Sequence, residues 1–188
     1  MELDKAINQR HSARDFSKTK KTDYKKIIEA IESATKAPLA GNHHNLKFIL
    51  VSDKAKIKGL AEAAVQDFIS SSNYVVVVCS NKRVLEASYH ERGKMYSHQQ
   101  AGAAIENFLL KITDLGLATC WVGAFSDETV KRVLKIPDNI DVEAFFPIGF
   151  EIGRAKQKPK PDLDDVLFFN EWDNKYMTSR GIVPGTRT

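Results

Sequence analysis

An α+β domain, with helices and strands mixed along one chain, is the fold class this sequence predicts, and three observations predict it. Apolar residues recur at helical spacing in two long stretches, around 27–34 and 97–115. Short runs rich in β-branched residues, Lys47 to Ser52 (KFILVS) and Tyr74 to Cys79 (YVVVVC), read as strands between them. The chain has 188 residues, 43% hydrophobic and 28% charged, which suits one domain with a substantial core and argues against disorder.

Taken in order, a short amphipathic stretch at the N-terminus precedes Arg10. From Thr22 a helix is expected on Ile27, Ile28, Ile31 and Ala34, with Thr22 or Asp23 as its N-cap and Pro38 beyond its end. After the strand 47–52, Ile57, Leu60, Ala61, Ala64 and Phe68 keep a helical pattern. The run 74–79 is apolar on both faces, as in a strand covered from both sides. A long helix is expected from about Ser97 to Leu115, on Ala101, Ala104, Ile105, Phe108, Leu109, Ile112 and Leu115, with Gly116 at its C-cap. Ala118 to Val122 reads as a strand. Ser126 caps a further helix whose first turn carries Asp127 and Glu128, favourable against the helix dipole. Val142 to Phe150 is the last strand, interrupted by Pro147 and Gly149. After Gly153 the basic, Pro-rich run RAKQKPKPD is too polar and stiff to pack, so a surface linker is expected. The apolar segment Val166, Leu167, Phe168, Phe169 and Trp172 then forms an arm that packs on its own domain or on a second subunit. The domain is expected over 1–177, with linker and arm at 153–177 and a loose tail at 178–188.

The net charge of +4 suits an anionic ligand as readily as nucleic acid, and Lys18, Lys20, Lys21, Lys25 and Lys26 read most simply as a solvated face. Cys79 and Cys120, the two cysteines, each sit in an apolar run and read as reduced core thiols. No apolar signal core opens the chain and no run is long enough to span a bilayer, so a cytoplasmic protein without membrane association is expected.

Four segments have the residue types of a ligand site. In Arg10-His11-Ser12-Ala13-Arg14, two guanidinium forks and a hydroxyl can converge on one small dianion such as a phosphate. Ala37 to Asn42 (APLAGN) is a helix exit where backbone amides and Asn42 can face a ligand. In Cys120 to Phe125 (CWVGAF), Gly123 lets the backbone approach a planar ring. Arg154, Lys156, Lys158 and Lys160 form a basic run able to return a cation to the phosphate. Each alone is equally a turn, a strand end or a solvated linker. His43 and His44 suggest a metal pair, but adjacent side chains rarely face one site and no third ligand is suitably spaced, so no metal is expected. A GxGxxG turn between strand and helix is also absent, which leaves a Rossmann-type dinucleotide site unsupported.

In this order the four segments resemble the FMN-dependent nitroreductase family. That family opens with RRSxR and Phe, continues with APSAGNxQPW before a strand and DxGAAxQNLLLAAxxLGLGTCW, and closes with PIG and a basic tail. The counterparts here are RHSARDF, APLAGNHHNLKFILV, QAGAAIENFLLKITDLGLATCWVGAF, PIGF and KPKPDLDDV, so the resemblance runs from about Leu3 to Trp172. It implies a three-layer α/β/α sandwich with a mainly antiparallel sheet. It also implies a homodimer with a C-terminal arm exchanged between subunits and FMN sites built from both.

By the same resemblance, Arg10, His11, Ser12 and Arg14 match phosphate and flavin-edge ligands. Arg10 and Ser12 fall toward the phosphate and ribityl chain, and Arg14 nearer the pyrimidine edge, where a cation favours the anionic reduced flavin. The Val122 and Gly123 backbone matches the stretch facing the hydride-accepting ring nitrogen. Pro38, Leu39 and Asn42 match residues that reach the flavin from the partner subunit, and Lys158 or Lys160 matches the basic residue returning to the phosphate. His11 is expected to be a hydrogen-bonding neighbour rather than a base, its protonated form disfavoured by the adjacent arginines. The chain departs from the family pattern at Leu39 (Ser), His44 (Gln), Asn45 (Pro), Leu46 (Trp) and Gln100 (Asp), changes expected near the substrate face and dimer contact.

The implied activity takes hydride from NADH or NADPH and passes electrons to a nitroaromatic, quinone or similar small acceptor, with the flavin rather than a side chain carrying the redox step. Alternatives within the fold are reductive dehalogenation or flavin fragmentation, in which residues 80–97, with Tyr89, His90, Arg92 and Tyr96, could form a lid. From a different class come a non-catalytic FMN-binding protein and a nucleic-acid binder using the lysines of 18–26.

Overall fold

The computed structural model describes residues 1–153 and 159–177. The chain divides into two compact units, Met1–Ala155 and Lys156–Thr188, so the division falls inside the basic, Pro-rich run. In the first unit the elements are α1 (Leu3–Gln9), α2 (Tyr24–Ala34), β1 (Leu46–Val51), α3 (Lys54–Ala64), β2 (Tyr74–Ser80), α4 (Arg83–Tyr89), α5 (Glu91–Asp114), β3 (Ala118–Thr119), α6 (Asp127–Leu134) and β4 (Asp141–Gly149). The strands form a sheet of order β1-β2-β4-β3, every ladder antiparallel.

β2 and β4 occupy the centre, and their side chains alternate between two cores. Val76, Val78, Ala144, Phe146 and Ile148 point to one face and meet Ile27, Ala30 and Ala34 of α2 and Ala104, Ile105, Phe108 and Ile112 of α5. Val75, Val77, Cys79, Val142 and Phe145 point to the other and meet Ile57, Leu60 and Ala61 of α3 and Val130 of α6. Two helices over each face of a sheet make three layers. Burying a large aliphatic or aromatic side chain stabilises by roughly 1.5–3 kcal/mol, and Phe108, Phe145 and Phe146 are fully buried, so the sheet centre is the rigid part of the molecule.

Local signals explain most boundaries. Asp23 caps α2 through its side chain on the Lys25 N–H, and Ser126 caps α6 through the Thr129 N–H. The helix expected to run to Phe68 stops at Ala64 because Val65 turns left-handed at φ 54°, closing the helix with its N–H on Ala61; Phe68 follows in a short 3-10 turn. The long helix starts at Glu91 rather than near Ser97. Its extra turns are polar, and Gly93 is buried where a Cβ would lie 2.4 Å from the Glu86 nitrogen, so only glycine lets α5 press against α4. Residues 80–97 therefore include two packed helices joined at His90. The strand expected over 118–122 is a two-residue ladder at Ala118–Thr119, and beyond it Val122 alone bridges Phe145.

In the second unit, α7 (Leu163–Val166) leads to a small knot in which Phe168 and Trp172 meet edge to face at 5.0 Å. Asn174 accepts from the Phe169 N–H and donates through Nδ2 to the Phe169 carbonyl. No helix of the described residues is long and apolar enough to cross a membrane.

Candidate functional site

The segment from Arg10 to Ser17 is laid along the sheet by its backbone. Ser12 bridges Thr119 in parallel fashion, the Ala13 N–H donates to the Thr119 carbonyl at 3.0 Å, and Phe16 pairs with Glu151. The Ser17 N–H donates to the Phe150 carbonyl and the Ile152 N–H to the Asp15 carbonyl. Ala13 and Phe16 point inward, 0% and 1% exposed, and Phe16 packs so closely on Gly149 that a Cβ there would lie 3.1 Å from its ring. Between these two buried residues Arg14 and Asp15 are both exposed to solvent. The first and third ligand segments are thereby brought together, with Arg14 close enough to Cys120 to favour its thiolate.

Individual groups are already partly engaged. Arg10 pairs with Glu106 of α5 at 3.6 Å, an ion pair half open to water and therefore weak enough to yield to a phosphate. The Ser12 side chain lies close enough to Cys120 to favour its thiolate. His11 is held at both ring nitrogens, Nδ1 2.8 Å from the Gln9 carbonyl and Nε2 2.7 Å from Glu151 Oε2. Its bond to Glu151, just past β4, ties the segment to that end of the sheet.

Val122 exchanges both backbone bonds with Phe145, its N–H donating at 3.0 Å and its carbonyl accepting at 3.1 Å. Of the expected pair, the Val122 amide is thus committed to the sheet, and Gly123 is the residue whose N–H lies beyond the ladder. A Cβ on Gly123 would meet only Trp121, at 3.4 Å, so the fold itself tolerates a side chain there. Glycine instead leaves the backbone open to a flat group. Cys120 is buried, and burial raises its thiol pKa, opposed by the Arg14 charge and the Ser12 bond.

The second ligand segment forms a 3-10 turn, Ala40–Asn42, with Gly41 and Asn42 both left-handed at φ 54° and 58°. Glycine suits position 41 because of its positive φ, and a Cβ there would press on the Tyr89 hydroxyl, which would have to shift. Pro38, Gly41 and Asn42 are exposed and Leu39 is half-buried. Two of the departures from the family pattern lie beneath this turn rather than on a substrate face: Asn45 and Gln100 are 2% and 4% exposed and bonded to each other. Sequence reasoning noted both residues and missed the partnership, because 55 positions separate them. Lys160 is exposed in the second unit, and Lys158 lies outside the described residues.

A cavity of about 370 Å³ lies between α1, α2 and α5, lined by Met1, Leu3, Lys36, Asn107 and Lys111 among others; none of the expected flavin residues lines it. No cluster of metal-ligating side chains occurs among the described residues.

Comparison with known proteins agrees with this arrangement. The Nitroreductase family profile matches residues 7–80 and 66–150. A protein of Archaeoglobus fulgidus named for NADH dehydrogenase and NAD(P)H nitroreductase activity is 29% identical over 181 residues, 94% of each chain. The oxygen-insensitive NADPH nitroreductase of Helicobacter pylori is 22% identical over 86% of this chain and 93% of its own. The crystal structure of a nitroreductase family protein from Clostridium novyi superposes with a TM-score of 0.73 at 32% identity, covering 96% of this chain and 99% of that one. With its sandwich, its edge-laid arginine segment and its glycine beyond β3, this chain belongs to the nitroreductase family.

Proposed function

We infer that this chain is an NAD(P)H-dependent oxidoreductase of the nitroreductase type that carries FMN, and that it works as a homodimer. The observation that carries the reading is the pairing of Ser12 and Ala13 with Thr119, which lays the arginine segment along β3, with Arg14 near Cys120 and Arg10 reaching Glu106 of α5. The donor set suits FMN: cations and a hydroxyl for a phosphate, and an open glycine backbone for a flat ring system. Bound FMN would supply the redox chemistry, taking hydride from NADH or NADPH and passing electrons to a nitroaromatic, quinone or similar small acceptor.

The protein's own groups bind and tune. Arg10 exchanges Glu106 for the phosphate, and Ser12 adds a hydroxyl there. Arg14, exposed to solvent, stands at the pyrimidine edge, where its charge favours a reduced, anionic ring. The Gly123 N–H donates toward the ring nitrogen. His11 keeps its bonds to Gln9 and Glu151 and holds the segment in place. Pro38, Leu39 and Asn42 reach the flavin of the partner subunit, in keeping with a turn whose tethers run to α4 and α5 while those of the arginine segment run to β3 and β4. A basic residue of the run containing Lys158 and Lys160 closes on the phosphate, and the arm after it exchanges between subunits.

The visible spectrum tests this reading. The purified protein, reconstituted with excess FMN and freed of unbound flavin, is expected to be yellow and to bleach rapidly under anaerobic conditions when NADH or NADPH is added. Failure to retain any FMN would refute it. Retention without bleaching would leave a passive flavin binder.

A further inference from the structure

The turn that bears Leu39 and Asn42 is stapled from below by one side chain. Gln100, on α5, accepts the Ala40 N–H through Oε1 at 3.2 Å and donates through Nε2 to the His43 carbonyl at 3.3 Å. The two ends of the turn are thus held by one amide. Its orientation is forced, because a backbone N–H can only donate and a carbonyl can only accept. The rest of the chain of bonds follows from that. Gln100 Nε2 also donates to Asn45 Oδ1, so the Asn45 amide must present Nδ2 to Ser97 Oγ, which it does at 2.7 Å. Asn45, Ser97 and Gln100 are 2%, 0% and 4% exposed, so water does not readily replace any member. On the outer side, Tyr89 stands over Gly41, and the His43 ring meets Tyr89 edge-on and Ser88 Oγ at 3.1 Å.

We propose that Gln100, buried and bonded to Asn45, is a positioning residue for flavin binding: it fixes the left-handed Gly41-Asn42 turn in the conformation that reaches the cofactor. This rests on the reading of Pro38, Leu39 and Asn42 as flavin contacts. Residues 38–42 carry no charged side chain and are assigned to the flavin ring, the part that FMN shares with riboflavin, which lacks the phosphate. Gln100 therefore governs the affinity common to both ligands, and Arg10 governs the difference between them.

The test measures dissociation constants of FMN and riboflavin by flavin fluorescence, at a temperature where circular dichroism shows each variant folded. Gln100→Met, of similar shape but without the amide, is expected to weaken both ligands by the same factor, about tenfold, leaving their affinity ratio at the wild-type value. Ser97→Ala removes only the last link, so it should lower the thermal midpoint while leaving both affinities within about twofold. That split separates positioning from mere stability. Unchanged riboflavin affinity in folded Gln100→Met overturns the proposal, as does a loss confined to FMN. Equal loss of affinity in Ser97→Ala and Gln100→Met overturns it too, since the effect would then track stability. Gly41→Ala serves if Gln100→Met does not fold: it disturbs the same turn at an exposed position, and undiminished riboflavin affinity there is equally fatal. A wild-type protein that binds neither flavin refutes the underlying assignment, and does so without any substitution.

Discussion

The arginine segment at 10–17 and the turn at 38–43 both read as flavin-binding parts, yet they are held in opposite ways. The first is fixed by main-chain bonds to β3 and to the end of β4, with Phe16 as its one large anchor. The second is a short turn with two left-handed residues, held by side chains reaching from α5 and by the space left under Tyr89. A segment held by its backbone can vary its outward side chains with little effect on folding. One held by a buried amide network cannot, because removing any member leaves other polar groups unpaired. Under the proposed assignment, charge for the phosphate sits on the tolerant segment, and shape for the ring on the demanding one.

The largest effect is expected where the first segment buries its one large apolar side chain. Phe16→Ala removes a fully buried ring seated on Gly149, and such a truncation costs about 3–5 kcal/mol. Chemical denaturation of the variant measures it. A loss below about 1 kcal/mol would mean that backbone bonding alone holds the segment, and the contrast with the turn would become absolute.

Arg14→Ala should leave stability within about 0.5 kcal/mol, since the side chain is exposed and the backbone bonds remain. Its effect belongs to the ligand: a charge-assisted contact is worth about 1.5–3 kcal/mol, so FMN affinity should fall roughly ten- to a hundredfold. Flavin reduction should slow as well, because the cation also favours the reduced ring. Titration with FMN and anaerobic stopped-flow reduction measure the two; unchanged affinity would remove Arg14 from the site.

How far each region was legible follows from the same contrast. The arginine segment, the two central strands and the helices α2 and α5 announce themselves by local pattern: a motif, β-branched runs, and apolar periods of helical length. α4 and the first turns of α5 do not, because their polar surface hides the period and Gly93 reads as a breaker until the neighbouring helix that needs it is in place. Val65 is likewise opaque, a β-branched residue in a left-handed cap that local propensity disfavours. Most telling is the turn. Its residues were visible as a motif, but Gln100 and Asn45 could be seen only as two separate oddities, since nothing local marks a hydrogen bond between positions 45 and 100. Glu151, which anchors His11 across 140 positions, is hidden for the same reason.

A further way to sharpen the comparison is Gly123→Ala, which should be nearly silent in folding because the added Cβ meets only the exposed Trp121. If the backbone at 123 lies against a flat ring, flavin affinity should nonetheless drop by about tenfold, in the range of overpacking costs. Equal loss for FMN and riboflavin would place the effect at the ring. Undiminished affinity would move the ring elsewhere.

The smallest effect compares the two thiols. Cys79, in the central strand, is pushed up to about 11 by burial and then by Glu143. Cys120, in the site, is also raised by burial, but there the Arg14 charge opposes the rise. A thiol whose folded pKa exceeds its unfolded value contributes stability that is fully present below about pH 9 and is lost as pH climbs through the folded value, because the unfolded chain releases its proton first. Stability should therefore decline between about pH 9 and 11 on account of Cys79. Resonances of ¹³Cβ-labelled cysteine resolve the two titrations. In Arg14→Ala the Cys120 midpoint should move upward, since the group that favoured its thiolate is gone, while the Cys79 midpoint stays put. A Cys120 midpoint indifferent to Arg14 would mean that the guanidinium points away from residues 120–123, and with it away from the ring it is assigned to touch.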